Sequence, residues 1–331
     1  MLARSRRCLA LGPLLLALLA AGCGAPAPAR LLPIGPWRTS AGAAHPLVGR
    51  VWSTADAAFI DADTLPGRLA EARYVLLGEQ HDHPDHHRLQ AWLIGALLRA
   101  ELRAVAFEML DAEDADGAAR ARDPAELAAN VQWDKSGWPE FALYLPVFQA
   151  IFAAEARILP AHPDREIIRR VMTEGLAPWP ATRIARLGLD EALTPAQEAE
   201  LGAEIRAAHC GHANDPMVDA MVVAQRVKDA WMANALGEAG ERSPLVLVAG
   251  NGHVRRDRGV AKYLPHHDPR PALAVGLLPV RDGATRPADY GAEAFDFVVF
   301  TPRLTDEDAC VRFREQLERM KRGQDKAAAP P

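Results

Sequence analysis

The stretch "RYVLLGEQHDHPDHHRLQAWLIGALLRAELRAVAFEML", residues 73–110, decides the fold. It begins and ends with short apolar runs, residues 73–79 and 103–110. Between them, residues 86–102 carry apolar side chains at helical spacing. Two near-continuous apolar strands joined by a helix form a βαβ unit, and such a unit calls for a parallel sheet with a right-handed crossover.

Further strands of the same kind follow along the chain. Near-continuous apolar runs are typical of strands that are buried on both faces of a sheet. The additional predicted strands span residues 156–162, 244–253, 272–280 and 295–302. The predicted fold class is therefore α/β, a mainly parallel sheet flanked by helices.

The middle of the chain departs from simple alternation of strands and helices. Residues 111–155 and 164–237 are mostly helical in pattern, which predicts a helical subdomain over about residues 111–240, largely between the third and fourth strands. One of its helices has a clear start, with Thr194 as N-cap, Pro195 at the first position and Gln197 completing a capping box.

The N-terminal sequence is typical of an export signal: arginines precede a short apolar stretch, and small residues follow it. Residues 1–22 resemble a bacterial lipoprotein signal peptide, and Cys23 would be the lipidated residue. Alternatively, an ordinary signal peptidase cleaves here and Cys23 is incidental. A Pro/Ala-rich tether over residues 23–45 would precede the main domain, residues 46–305, with a C-terminal helix and frayed tail over 306–331.

Composition excludes some classes of function. The chain has 331 residues, 49% hydrophobic and 24% charged, with a net charge of -5 and no basic stripe, so nucleic acid is a poor candidate partner. Cys210 and Cys310 could pair in an oxidising compartment, although their spacing does not decide it. The chain has no CxxC pattern, which argues against a thiolate metal cage.

Polar side chains follow four predicted strands where each strand ends. Glu79 and His81 follow the first strand, Glu108 closes the second, His162 the third, and His253 follows the fourth. In an open parallel sheet, ligands bind beyond these carboxyl ends. The pattern Gly-x-x-His occurs twice there, as "GEQH" (78–81) and "GNGH" (250–253), so we expect a shared crevice.

Two chemistries suit this crevice. Glu79, His81 and His253 could hold a divalent metal, or Glu79 or Glu108 could act as general base beside a histidine. Structural roles are the alternative: Glu108 could cap the next helix, and His162 could simply end a strand.

The histidine-rich turn also has a structural interpretation. We expect Asp85 to be the N-cap of the first long helix and at least one of His83, His86 and His87 to lie on a solvated surface.

The helical part carries a second cluster, "AAHCGHANDPMVDAM" (207–221). His209 and His212 precede a helix that bears Met217 and Met221. Methionines at helical spacing are either part of a core or, beside exposed histidines, the wall of a site for a flat aromatic ligand such as haem.

Six segments in order resemble the ChaN-like haem-binding lipoproteins, within the Tiki/erythromycin-esterase superfamily. They are "LLGEQHDHPDHHRLQ", "FEML", "WDKSGWPEFALYLPVFQA", "AHPDREIIRRV", "HCGHANDPMVDAMVVAQRVKDAWMA" and "AGNGHVRRDRGVAKYL". The resemblance implies an α/β domain with a helical subdomain and a haem-binding protein rather than an enzyme. It also implies two stacked haems at a homodimer interface, each iron ligated by a tyrosine, and a role in iron or haem uptake or storage.

The resemblance extends to the cell envelope and to the haem ligands. With Gly24 after the cysteine, it implies a lipid anchor in the outer membrane, facing the periplasm or the surface. Tyr144 is the favoured iron ligand, and Tyr263 is the alternative. The remaining predicted haem-site residues are His209, His212, Met217 and Met221.

The hydrolase branches of the superfamily give a rival function. They are similar in their paired Gly-x-x-His turns with an acidic residue between them. Glu79, His81, Glu108 and His253 match that pattern, which implies a metal-dependent hydrolase with a divalent metal on Glu79, His81 and His253.

Overall fold

The computed structural model describes residues 32–100, 102–240 and 244–312, and within them eight strands form one sheet. The strands are β1 (Val51–Ser53), β2 (Ala58–Ile60), β3 (Tyr74–Leu77), β4 (Ala104–Asp111), β5 (Arg157–His162), β6 (Leu245–Val248), β7 (Ala272–Pro279) and β8 (Phe297–Thr301). Their order across the sheet is β2-β1-β8-β7-β3-β6-β4-β5.

Six of these strands, β3 to β8, pair in parallel and correspond to the six predicted from apolar runs. The α/β fold class is confirmed. The sequence did not indicate β1 and β2, which pair antiparallel with each other, while β1 also pairs antiparallel with β8. Each has only three residues, too few to show a periodic pattern of apolar side chains.

Helices flank the sheet and fill most of the region between β4 and β6. They are α1 (Leu65–Leu69), α2 (Pro84–Arg99), α3 (Ala115–Arg120), α4 (Pro124–Asn130), α5 (Phe141–Ala153), α6 (Arg165–Glu174), α7 (Ala181–Arg186), α8 (Pro195–Ala208), α9 (Asp215–Glu238), α10 (Val260–Tyr263) and α11 (Ala309–Arg312). The predicted capping box opens α8: the Gln197 amide donates to Thr194 Oγ1 at 3.3 Å, and the Thr194 amide donates to Gln197 Oε1 at 2.9 Å.

Both faces of the sheet are buried, which explains the continuous apolar runs. On one face α2 and α5 pack through residues such as Leu93 and Phe148. On the other face α9 and α10 pack through residues such as Met232 and Val260. Full burial of each such side chain contributes roughly 1.5–3 kcal/mol. A third, smaller cluster lies between α8 and α9.

The second half of the predicted tether packs on the domain. Asp85 accepts hydrogen bonds from the amides of Arg38 and Thr39, both at 2.9 Å, and Arg88 donates to the carbonyl of Pro36 at 2.7 Å. The predicted signal peptide and Cys23 lie outside the described residues, as does the predicted tail after Arg312. Among the described helices, none is both long and apolar enough to cross a membrane.

A disulfide joins Cys210 to Cys310, a pairing that the sequence left open. It connects the turn between α8 and α9 to α11, across a sequence separation of 100 residues. The C-terminal segment is therefore covalently held at the helical subdomain.

Candidate functional site

The structure brings four predicted residues together at the carboxyl ends of β3, β4 and β6. His81 Nδ1 donates to Glu79 Oε1 at 2.8 Å, and His81 Nε2 lies 3.8 Å from Glu108 Oε2. On the other side, His253 Nε2 lies 3.2 Å from Glu108 Oε1. Carboxylates and imidazoles thus alternate across the crevice.

The two Gly-x-x-His turns pack directly on each other, which gives both glycines a role. A Cβ on Gly78 would lie 2.2 Å from Asn251 Oδ1, so only glycine fits there. A Cβ on Gly250 would lie 3.1 Å from His81 Nε2. The Gly250 amide also donates to Glu108 Oε2 at 2.8 Å. Glycine at position 250 therefore leaves open the space in front of the His81 ring.

Asp229, which the sequence analysis did not single out, lies behind His253. His253 Nδ1 is 2.6 Å from Asp229 Oδ1, so both ring nitrogens face carboxylates. Burial alone would lower the pKa of His253, but Glu108 and Asp229 outweigh it and raise this pKa to about 10. His253 is therefore an imidazolium at neutral pH.

The carboxylate of Glu79 is buried and takes four contacts. Tyr144 donates its hydroxyl to Oε1 at 2.6 Å, and Gln90 Nε2 donates to Oε2 at 2.8 Å. His87 Nδ1 lies 3.4 Å from Oε2, and His81 completes the set. Burial would raise the pKa of Glu79, but His87 and His81 hold it well below its ordinary value. Glu79 is therefore ionised and fixed.

Both predicted iron ligands, Tyr144 and Tyr263, are fully buried. Burial and the charge of Glu79 raise the pKa of Tyr144 far above its ordinary value, so the phenol is a neutral donor. The Tyr263 hydroxyl accepts from Arg226 Nε at 3.3 Å, and burial raises its pKa to about 12. Neither phenol is exposed at the surface in this structure.

The histidine-rich turn is interior, so the expectation of a solvated histidine there is wrong. His83, His86 and His87 are all fully buried. The rings of His83 and His86 stack with centroids 3.9 Å apart, and His83 Nε2 donates to the carbonyl of Pro302 at 2.9 Å. Burial lowers the pKa of both His83 and His86, which keeps the stacked pair neutral.

The N-cap expectation for Asp85 is also wrong. Helix α2 has His83 at its N-cap, and Asp85 lies within the first turn, where it binds the N-terminal segment instead. His162 does not join the crevice set: its Nδ1 lies 3.2 Å from Asp111 Oδ1 and 2.6 Å from the carbonyl of Pro163.

The crevice does not fit a metal. Within residues 32–100, 102–240 and 244–312, no group of three or more His, Cys, Asp or Glu side chains is arranged to hold an ion. Both ring nitrogens of His253 and the Nδ1 atom of His81 face carboxylates, so they carry protons there and offer no lone pair to a metal. The arrangement suits proton transfer instead.

A second candidate site lies at the turn between α8 and α9. His209 Nδ1 donates to the carbonyl of Ile205 at 2.8 Å, which leaves the Nε2 lone pair for another partner. His212 is exposed, and Met217 and Met221 are half-buried against the third apolar cluster. We call His209, His212, Met217 and Met221 the α8–α9 patch. The disulfide tethers α11 to the same turn, and the side chain of Val311 on α11 is 49% exposed.

Comparisons with known proteins identify the family. The fold and the paired turns belong to the Tiki superfamily: a family model described as "Haem-binding uptake, Tiki superfamily, ChaN" matches residues 65–264, more than half of the chain. The chain is a member of this ChaN family. No curated protein matches it.

One solved structure shares the fold, and two others are less similar. The structure titled "Cofacial heme binding to ChaN of Campylobacter jejuni" has a TM-score of 0.60 and 22% identity, and covers 75% of this chain and 95% of that one. The type III effector HopBA1 has a TM-score of 0.43 and 16% identity over 72% of this chain and 92% of that one. A mutant of the erythromycin esterase EreC, in its open conformation, has a TM-score of 0.44 and 13% identity, and covers 75% of this chain and 95% of that one.

Proposed function

We propose that this protein binds haem as the cargo of a haem or iron uptake route. Membership of the ChaN family over residues 65–264 is the observation that carries the proposal. The sequence before residue 32 supports an exported protein anchored at the outer membrane through Cys23. The C. jejuni relative, whose title names cofacial haem, supports a homodimer with two stacked haems.

The α8–α9 patch is the surface that we propose for haem. It offers sulfur-containing apolar side chains for the macrocycle and an imidazole for the iron. Because a carbonyl can only accept, the bond from His209 Nδ1 fixes the tautomer with the lone pair on Nε2. His209 is therefore our proposed axial ligand, in place of the buried tyrosines.

Titration with ferric haem, followed by visible absorption, tests this proposal. We expect saturable binding by the wild type with the spectrum of histidine-ligated iron. His209→Ala should abolish that spectrum, whereas His266→Ala, which removes a histidine outside the patch, should leave it unchanged. Binding should also make the protein dimeric in sedimentation if two haems stack.

Two other outcomes would redirect the proposal. A tyrosinate-type charge-transfer band that disappears in Tyr144→Phe would show that helix α5 opens and that the buried phenol is the ligand. No saturable spectrum in the wild type would refute haem binding by this chain.

The crevice supports a second candidate function, acyl transfer to water. The favouring observation is the series Asp229, His253, Glu108, His81, Glu79, whose neighbouring polar atoms lie 2.6 to 3.8 Å apart. The side chain of His81 is partly exposed, at 32%. His81 would accept the proton from water, while the His253 imidazolium keeps Glu108 ionised. Despite the cost of burial, Glu108 and Glu79 raise the pKa of His81 above its ordinary value.

Substitution within the series tests this second function. Glu108→Gln keeps the shape of the side chain but removes its charge, so hydrolysis of a responsive ester or amide should fall by about 100-fold or more. Glu198→Gln, an exposed change on α8, is the matched control. Equal rates in the wild type and Glu108→Gln would exclude the crevice as the reaction centre.

A further inference from the structure

Two cavities lie on either side of Trp138, in the segment between α4 and α5. One has a volume of about 400 Å³ and a mainly charged lining, and the other about 560 Å³ and a mainly apolar lining. Trp138 lines both of them. Its ring also lies edge-on to His81, with centroids 4.9 Å apart. Trp138 therefore connects the walls of both cavities to His81, the partly exposed member of the crevice.

The apolar cavity is built on aromatic rings. Trp133 and Phe141 pack edge to face with centroids 5.3 Å apart. Ala128 and Ala129 also line the cavity, and its two charged lining residues are Asp134 and Glu140. Such a lining accepts an aliphatic or aromatic body.

The charged cavity offers two charges of opposite sign. Its arginines are already engaged: Arg165 Nε lies 3.5 Å from Asp111 Oδ2, and Arg169 pairs with Glu166. Lys135 Nζ donates to Gln132 Oε1 at 3.2 Å. Within the described part of the chain, Lys135, Glu113 and Asp114 form no ion pair, but Asp114 already accepts a hydrogen bond from the amide of Asp111 at 2.9 Å. One ammonium and one carboxylate at the rim of a cavity match a zwitterionic head group.

We propose that the two cavities form one binding site for a small amphiphile with an apolar acyl body and a zwitterionic head. The inference rests on the second proposed function, since it places the ester or amide linkage beside His81. There, water would give a proton to His81 Nε2 as its oxygen attacks the carbonyl carbon. The bond to the alcohol or amine then breaks, and the leaving group takes the proton back from His81. One acid and one alcohol or amine result from each water.

Calorimetric titration of the full chain with N-octanoyl-lysine, acylated at its α-amine, tests the site. This probe keeps a carboxylate and an ammonium at one end. N-acetyl-lysine lacks the apolar body and should bind more than about 10-fold more weakly. N-octanoyl-norleucine lacks the ammonium and should bind about 3- to 5-fold more weakly.

Matched variants assign the contacts. Lys135→Gln and Glu113→Gln should each weaken binding of N-octanoyl-lysine by about 3- to 5-fold. Trp138→Ala should weaken it by about 10-fold, and Trp138→Phe, which keeps an aromatic wall, by less. The control Glu198→Gln should bind as the wild type does. Thermal unfolding of each variant checks that it is folded.

Release of free lysine, measured in the same samples, separates the binding site from the chemistry. Saturable binding without release supports the site and refutes hydrolysis of this amide. Release that persists unchanged in Trp138→Ala and Lys135→Gln refutes the site and supports the chemistry. Equal affinity for all three probes, or no saturable binding, overturns the inference.

Discussion

The Nδ1 atom of His253 lies 2.6 Å from the Oδ1 atom of Asp229, and both side chains are buried. This pair connects a turn after β6 to the middle of α9. With Glu108 on the other side of the ring, it holds a positive charge inside the protein.

Asp229→Asn should change how stability depends on alkaline pH. The pKa of His253 is about 10 in the folded protein and about 6.5 when unfolded, so its stabilisation is complete below pH 6.5 and is lost as the pH rises towards 10. In the variant, the decline of stability with rising pH should be smaller and should end at lower pH. The free energy of unfolding at pH 7 should be lower than that of the wild type by about 2 kcal/mol. Urea unfolding between pH 6 and 10 measures this free energy. The same dependence on pH in both proteins would contradict the role of Asp229 in raising the pKa of His253.

The stacked pair of His83 and His86 should make the protein sensitive to acid. Their folded pKa values are lowered, so their contribution is present above the unfolded value of about 6.5 and is lost as the pH falls below it. In His86→Gln the side chain cannot titrate, so the free energy of unfolding should fall less between pH 7 and 5. His212→Gln, an exposed change, should behave as the wild type does.

Tyr144→Phe should cost stability but not haem binding. The variant removes the donor that lies 2.6 Å from Glu79 and leaves a buried carboxylate with fewer partners, which costs about 1.5–3 kcal/mol. Urea unfolding and haem titration of the same preparation test both halves. Unchanged stability together with loss of haem binding would show instead that Tyr144 is the iron ligand and not a structural donor to Glu79.

Gly250→Ala should inactivate the crevice with little change in fold. The added methyl would lie 3.1 Å from His81 Nε2, in the space that a water needs, so any hydrolysis should fall by about 10- to 100-fold. Gly252→Ala is a matched control, because a Cβ there has nothing described within 4 Å. Equal rates in the two variants would place the reacting water elsewhere.

Reduction of the Cys210–Cys310 bond should loosen the C-terminal segment. The closed loop is long, so opening it should lower the free energy of unfolding by about 2–5 kcal/mol. Thermal unfolding with and without reductant measures this. The double variant Cys210→Ser and Cys310→Ser should not respond to reductant, and a response there would point to another cause.

The sequence could predict the sheet and the crevice because both depend on local patterns. Apolar runs locate buried strands, and parallel strands end at one edge, so Glu79, His81, Glu108 and His253 had to be neighbours. The short antiparallel strands β1 and β2 had no comparable signal.

The side chains that the helices contribute to the crevice were harder to predict, because their positions depend on how each helix is rotated against the sheet. Asp229 follows Val222 by seven residues, on the same face of α9, and a carboxylate on an apolar stripe was the available signal. The family resemblance favours Tyr144 as the iron ligand, but a tyrosine in an aromatic helix can lie either at the surface or in the interior. Only the packing of α5 on α2 decides between them.

Helix α9 also connects the two candidate sites physically. Met217 stands near its first turn, and Asp229 lies 12 residues further on, about 18 Å along the axis of one uninterrupted rod. A tilt of that rod at either end must displace the other end as well. Any repacking at the α8–α9 patch that tilts α9 would therefore also shift Asp229 relative to His253.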